Sequence, residues 1–543
     1  MAFSGAAVAQ PLPDAGQIQR EAQTRPASPP PVAPPVGVRE AAEQPVAAGG
    51  PTFAVTSVLI QGHTAFSTDD LLALVADLAG PARTLANAQA AAQRITEHYR
   101  ARGYPVARAF VPAQDVTGGQ VRIDVLEGRI DRVTLRNGSR VREGALTSAL
   151  SGVQAGEVIT SAPIDRALLL WRDTPGVGAA QATLQPGERV GTTQLGIELE
   201  AAPLVVGSVT LDNHGSAYTG KARLSGLLQF NSPLGLGDRL SVSALTSGSG
   251  LRHGRAAYDL PLGGAGTRFG VARHQTRYRL GGAFAVLQAS GVADAAQAFV
   301  SHPIWLTPTG RVSVSLAAEH QSLHDRIGVT STTTDKSLRS TKATVDGSWR
   351  DVQGKRLSTV NLQLVNGRLQ IHTAAAAAQD AATAASQGNF SRLGWVLGHL
   401  QRVGDASQVF VSYGGQRANR NLDSAEKFAV GGPQAVRAYG SGEASGDEGD
   451  LLSLEWRQQF SAAVQGVVFY DLGRVRFNHT PFDASAARHR TLSGLGIGLN
   501  GETSVAGTPL SLQSTLAWPV QGRSVHNSPV SSPALWLTLS TRF

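Results

Sequence analysis

From Leu204 to Phe543, apolar and polar residues alternate with a period of two. Ala222, Leu224, Gly226, Leu228 and Phe230 share one parity against Lys221, Arg223, Ser225, Gln229 and Asn231, broken only at Leu227. Leu240, Val242 and Ala244 repeat the pattern, as do Val312, Val314, Leu316 and Ala318 against Arg311, Ser313, Ser315 and Glu319. Successive side chains of a strand point to opposite faces, so such segments of about ten residues predict strands with lipid on one side and water on the other. Sixteen can be placed, beginning near 204, 219, 238, 251, 267, 290, 310, 339, 355, 388, 406, 449, 463, 490, 508 and 534. An even number closes an antiparallel barrel with both ends on one side. The connections alternate in length: short at Pro233-Leu234-Gly235, Gly263 to Gly266, Pro308-Thr309-Gly310, Gln353-Gly354, Gly404-Asp405 and Gly507-Thr508, and longer at 281–289, 369–387, 418–448 and 520–533. A β-sandwich would also give many strands, but shorter ones. The last strand favours a barrel, since Leu535, Leu537, Leu539, Thr541 and Phe543 share one face.

Upstream the period changes. After the β-rich Val55 to Ile60, Ser67 and Asp70 open a helix through Leu71, Leu72, Val75 and Leu78 that Gly80 ends. A second helix carries Leu85, Ala88, Ala92, Ile95 and Tyr99 at helical spacing up to Gly103. Strands Val106 to Val111 and Val121 to Leu126 flank a turn at Gly118-Gly119. The order then repeats more loosely: strand Arg132 to Leu135, helices Arg142 to Leu150 and Pro163 to Trp171, and strands Val177 to Leu184 and Thr193 to Leu199. Two α+β modules, 53–128 and 129–203, thus precede the barrel region 204–543. Ahead of them, ten of the 27 prolines fall within the first 51 residues. They mark 26–52 as a linker that reaches roughly 80 Å in polyproline form. Within 1–25, Asp14 caps a predicted short helix through Ile18 and Glu21 to Thr24, and Ala7-Val8-Ala9 resembles the end of a secretory signal.

Composition mainly excludes. With no cysteine there is no disulfide framework, thiolate metal site or thiol nucleophile. The net charge of +8 is spread without a run of five or six Lys and Arg, so nucleic acid is not an expected partner. No apolar run of eighteen or more residues predicts a membrane helix, which leaves a barrel untouched. Neither a Gly-x-Ser-x-Gly elbow nor a nucleotide motif is present, so no enzyme activity, cofactor or metal is expected. His320 and His324 fall where a strand runs into a loop, which is no place for a helical metal pair. Asp447-Glu448-Gly449-Asp450 reads as a solvated acidic loop able at most to hold a cation weakly.

The candidate chemistry lies in the barrel. Val468, Tyr470 and Leu472 share one parity, which leaves Phe469, Asp471 and Gly473 facing the lumen. In the strand before, Leu452, Leu454 and Trp456 face lipid, so Ser453, Glu455, Arg457 and Gln459 also point inward. The Gly-rich 418–448 connection carries Val436-Arg437-Ala438-Tyr439. If it folds back into the lumen, Arg437 can meet Asp471 and Glu455 as a loop-to-barrel latch. Ionisable residues at membrane depth tend to be functional, although spacing alone favours a solvated loop arginine and an ordinary lumen carboxylate.

Val436 to Tyr439 resembles the Val-Arg-Gly-Tyr loop motif, and Phe469 to Gly473 the Phe-x-Asp-x-Gly strand motif, of barrel transporters that carry POTRA modules. Ala438 stands where glycine is usual. Ile60-Gln61-Gly62-His63, Gly103-Tyr104 and Glu127-Gly128-Arg129-Ile130 resemble cues of POTRA modules, with Asn137-Gly138 the best cue in the second. With the Pro-rich linker and sixteen strands, the chain resembles the two-partner secretion transporters, the TpsB or haemolysin secretion/activation family. The resemblance implies periplasmic POTRA modules that capture an unfolded, large partner exoprotein of the adhesin, haemolysin or contact-dependent toxin type. It also implies an N-terminal helix that plugs the pore, export driven by folding outside, and a terminal aromatic, Phe543, read by the outer-membrane assembly machinery. An insertase of the same superfamily and a passive porin are the competing readings; two modules and the linker favour secretion.

Overall fold

A computed structural model of the chain describes residues 12–23, 51–485, 487–521 and 533–543. The segment resembling a signal end and most of the Pro-rich linker lie outside these residues. Sixteen antiparallel strands form a closed barrel: Val205–Asp212, Arg223–Asn231, Arg239–Thr246, Leu251–Pro261, Arg268–Arg279, Ser290–Thr307, Gly310–Ile327, Thr332–Arg350, Arg356–Ile371, Gly388–Val403, Ser407–Ala418, Glu448–Gln459, Val464–Arg476, His489–Val505, Thr508–Gln521 and Ala534–Arg542. The last pairs with the first from Thr538 opposite Asp212 to Arg542 opposite Ser208. Beyond that pairing, Phe543 and Gly207 exchange two backbone hydrogen bonds of 2.8 and 3.0 Å.

Parity along each strand places the apolar set outside. Leu224, Leu228, Val242, Leu316, Leu362, Leu364, Leu454, Val468, Ile497 and Leu512 are all exposed, as a lipid-facing belt requires. Trp305, Trp349, Trp456, Phe460 and Phe543 are exposed toward the modules' end, where an aromatic girdle belongs. Among the described residues no helix is long and apolar enough to cross a membrane.

Two strand starts differ from the sequence reading. The second strand begins at Arg223 rather than near 219, and the eighth at Thr332 rather than near 339. The first turn of the eighth, Thr332 to Ser337, is polar on both faces and so lacks the period-two signal. The 369–387 connection contains a helix, Ala374–Ala382, that its position in a long loop concealed. His320 and His324 lie within strand Gly310–Ile327 and share its outer face, not at a strand-loop boundary.

The first module has a three-stranded sheet in which Ser57–Gln61 runs parallel to the central Gln120–Leu126 and Arg108–Phe110 antiparallel to it. Leu71, Ile95, Tyr99 and Ile123 pack as its core. Its long helix, Leu85–Ala101, starts at a capping box in which Thr84 and Asn87 exchange side-chain and backbone hydrogen bonds. The other helix runs Thr68–Ala73 and tightens to a 3₁₀ turn at Ala76–Leu78, so it ends before Gly80. Gly80 opens a short strand to Arg83 that pairs with Phe53–Val55. Glu127, near the end of this module, accepts from the amide and hydroxyl of Thr64, the amide of Ala65 and the Tyr99 hydroxyl. Burial pushes its carboxyl up, and these four donors together outweigh it and hold the group below the usual range.

The second module repeats the plan with Arg129–Asn137, Thr192–Ala201 and Val177–Pro186 in one sheet and helix Ser161–Arg172 across it. It seats on the barrel's short turns: the Arg142 amide donates to the Gly235 carbonyl at 2.8 Å, Arg166 to Ala265 at 3.2 Å, and Asp173 pairs with Arg311 at 2.7 Å. That contact fixes which barrel mouth faces the modules.

Candidate functional site

The connection after strand Ser407–Ala418 does not project from the barrel. Phe428–Ala429 pairs with Ser445–Gly446 as a small hairpin, and Val430, Val436, Ala438 and Tyr439 pack inside the lumen on Val467, Phe469, Val475, Leu492 and Ala517. Val436, Ala438 and Tyr439 are buried. Three wall glycines make this close approach possible. A methyl on Gly473 would stand 2.8 Å from Val430 Cβ, one on Gly494 2.5 Å from Ala438 Cβ, and one on Gly496 2.3 Å from the Phe469 ring. Ala438 does not have a positive φ, so its methyl carries no backbone strain, and Gly494 opposite supplies the room for it.

This packing drives the Arg437 side chain toward the wall. Its Nε and one terminal nitrogen donate to the two Asp471 oxygens at 2.8 and 2.7 Å, a bidentate fork. The other terminal nitrogen donates to Glu455 Oε1 at 2.7 Å, while the terminal nitrogen on Asp471 also donates to Ser453 Oγ at 3.0 Å. Ser453 in turn donates to Asp471 at 2.7 Å, and the Arg437 amide does so at 3.1 Å. Arg457 holds the far oxygen of Glu455 at 2.8 Å. The guanidinium lies 3.5 Å from the centroid of the Phe469 ring, as a cation over an aromatic face. Asp471 has no exposed surface and Arg437 only 15%. Two charges so removed from water are tolerable because nearly every donor and lone pair is matched.

All eight residues singled out at the loop and wall therefore converge: Val436, Arg437, Ala438, Tyr439, Phe469, Asp471, Gly473 and Glu455. Trp536, Gln521 and the glycines 494 and 496 were not anticipated. The Trp536 indole donates to the Arg437 carbonyl at 2.6 Å, and the Tyr439 hydroxyl to the Gln521 carbonyl at 2.8 Å. The glycine parity in Gly494-Leu495-Gly496-Ile497-Gly498 was the available signal, an inward face stripped of side chains.

The acidic stretch 447–450 is not a solvated loop. Asp447 is buried and pairs with Lys427 at 2.8 Å, Glu448 with Arg476 at 3.2 Å, and Asp450 with Arg417 at 2.9 Å. It anchors the loop base instead of presenting free carboxylates. Among the described residues no cluster of His, Asp and Glu has a metal-ligating arrangement.

Across the lumen lies helix Ala15–Gln23. Asp14 accepts from the Gln17 amide at 3.0 Å as its N-cap, and also from Lys336 at 2.9 Å and Ser424 at 2.6 Å. Ala15 and Ile18 pack on Leu251, Tyr278, Leu280 and Leu323 at the strand ends remote from the modules. Gln19 and Gln23 meet His274 at 3.0 and 3.2 Å further down the wall. On its other side the helix touches the loop, with Arg20 donating to the Ser424 carbonyl at 2.8 Å and to the Lys427 carbonyl.

Known proteins match this arrangement. A family model described as haemolysin secretion/activation protein ShlB/FhaC/HecB covers residues 191–501, and one for the ShlB-type POTRA domain covers 53–128. The heme/hemopexin transporter protein HuxB of Haemophilus influenzae strain 86-028NP is 30% identical over 504 residues, 90% of this chain and 88% of that protein. The outer membrane transporter CdiB of Dickeya dadantii is 24% identical over 87% of this chain and 83% of its own length. The solved structure of CdiB from Escherichia coli superposes with a TM-score of 0.70 at 22% identity, spanning 98% of this chain and 96% of that one.

Proposed function

Because the chain belongs to the haemolysin secretion/activation family of ShlB, FhaC and HecB, outer-membrane transporters of two-partner secretion, we propose how it exports its partner. The POTRA modules bind one large exoprotein as an unfolded chain in the periplasm, adding it as a strand to an exposed sheet edge. The exoprotein then threads the barrel and folds outside. In this reading the cargo is a single large secreted protein rather than a small solute, which the match to the haemolysin secretion/activation family supports.

The observation that carries this reading is that two removable elements fill the lumen. Helix Ala15–Gln23 and the loop hairpin are held by side chains on the wall, not by strand pairing with it. Both can leave without opening the barrel. In this reading the helix is the resting plug on a Pro-rich tether, and Arg437 with Asp471 and Glu455 is the latch that sets the loop's closed position. Exposed Phe543, seated at the base of the last strand, is the residue the assembly machinery reads, and the apolar belt meets outer-membrane lipid. An insertase would share the latch, but the family match covers the barrel of a secretion transporter.

The test is export of a candidate large exoprotein, co-expressed with this chain and measured in the medium. Export that requires the intact chain and stops with Arg437→Ala supports the proposal. Unchanged export without this chain overturns it.

A further inference from the structure

The outer face of the barrel carries an arginine patch that export through the lumen does not use. On five of six adjacent strands, from Leu251–Pro261 to Arg356–Ile371, the outward face carries arginine above the lipid belt; the sixth, Ser290–Thr307, has none and presents Asp294. Arg252, Arg277, Arg279, Arg326, Arg339 and Arg368 all point outward and are exposed. Among the described residues none of the six has an ion pair or a side-chain hydrogen bond to an acid. Arg273 has Asp294 at 3.7 Å, and His324 has Asp335 as its partner.

Four of these arginines face each other. Arg252 lies directly opposite Arg277, and Arg339 directly opposite Arg368, with His320 on the other side of Arg339. Like charges directly opposite across a ladder destabilise a sheet. Two such pairs on one wall make a surface complementary to an anion, because guanidinium forks match phosphate oxygens in geometry as well as in charge. Between the two levels of arginine the wall carries a hollow of about 370 Å³ lined by Asp294, Ser322, His324, Asp335, Ser337 and His372.

Height identifies the source of the anion. Trp349 and Arg339 share the outward face of one strand, with Trp349 at the end nearer the modules. The ten steps from one to the other climb roughly 25 Å at about 3.4 Å each and a tilt of about 40°, which is the height of the lipid band. Arg339 and Arg368 therefore stand where headgroups of the outer leaflet begin. The patch is one-sided: the opposite wall presents Leu211, Leu224, Leu495, Leu535 and Leu537 at its outer half.

We propose that the arginine pairs Arg252/Arg277 and Arg339/Arg368 form a binding site on the outer wall for the phosphate groups of a phosphorylated glycolipid of the outer leaflet. Each pair clamps one phosphate while the acyl chains lie along the apolar belt beneath. The bound lipid orients the barrel wall against which the plug helix rests, since strands Leu251–Pro261 and Arg268–Arg279 carry Arg252 and Arg277 outside and Leu251 and Tyr278 on the helix side.

The test is a titration of the purified full chain with bis-phosphorylated lipid A, with the same lipid stripped of both phosphates, and with inorganic phosphate. Binding is read by native mass spectrometry. The wild-type chain and a control, Arg402→Gln at the module-side turns, should bind the phosphorylated lipid about tenfold or more tighter than the stripped one. R252Q/R277Q and R339Q/R368Q should each lose about tenfold, and the corresponding lysine pairs should keep part of the affinity. Wild-type affinity should fall with added salt, a readout that needs no variant. Equal binding of both lipids, glutamine pairs that bind as wild type in barrels of normal heat-modifiable mobility, or absence of the salt effect overturns the site. Displacement by inorganic phosphate at matching concentrations would assign it to the free ion and overturn the lipid. Wild-type lipid binding by the glutamine pairs together with lost export would make it a protein-docking surface instead.

Discussion

At the residue scale, Arg437→Ala tests the latch most directly. It leaves Asp471, which has no exposed surface, with only the Ser453 hydroxyl and the residue 437 amide as donors. Breaking a buried pair by deleting one partner costs about 3–5 kcal/mol, more than the loop's apolar packing is expected to absorb. Proteolysis on intact cells should then cut within 424–447 in the variant and spare the wild type, with Arg437→Lys intermediate because a lysine lacks the fork. Gly496→Val should give the same phenotype by another route, since a Cβ there meets both the Phe469 ring and the Leu516 carbonyl at 2.3 Å. Displacing that ring removes the face on which the guanidinium rests. The sequence carried much of this site: parity alone points Asp471, Glu455, Ser453 and Phe469 inward. It did not carry Trp536 or Gln521, because their meeting with the loop depends on how the barrel closes, and no local pattern encodes closure.

At the element scale, legibility follows solvent contrast. Strands inside the lipid band alternate because their two faces meet different solvents, and their positions could be read. The start of strand Thr332–Arg350 rises beyond the band, meets water outside and the charged ends of the helix and loop inside, and so is polar on both faces and loses the signal. In the first module one helix was legible from Ser67 and Asp70 at its start and the other from the helical spacing of Leu85 to Tyr99, whereas the short strand Gly80–Arg83 is too brief for a period. Glu127 gives this module an acid dependence. Its folded carboxyl lies below the usual range while the unfolded one titrates near about 4.3. The unfolded state therefore binds more protons in that window, so the stabilisation is complete above the unfolded value and is lost as pH falls through the folded one. Amide exchange at residues 64, 65 and 99 in the full chain should accelerate in acid beyond the intrinsic rate. Glu127→Gln should already be fast at neutral pH and flat below it; equal protection in both proteins would remove Glu127 from this role.

At the scale of the whole molecule, the helix and the loop share one lumen and touch each other, so they leave together or in order. Lys336 joins them, bonding Asp14 ahead of the helix at 2.9 Å and Asp423 of the loop at 2.8 Å. At Gly16 their backbones approach closely: a methyl there would stand 2.7 Å from Ala425 Cβ. The chain contains no cysteine, so a pair introduced at these positions has no competing thiol. A disulfide spans about 3.5–4.5 Å between Cβ atoms, which the G16C/A425C pair reaches with a shift of about an ångström. Oxidised, this variant should conduct in planar bilayers as a closed channel and export no exoprotein; reduced, it should regain both. Deleting residues 10–25 should give a steadily open channel whose loop still resists proteolysis if the latch holds alone, or yields to it if the helix props the loop shut. If the crosslinked protein exports as well as the reduced one, cargo passes without separating the helix from Ala425, and the plug is not the gate.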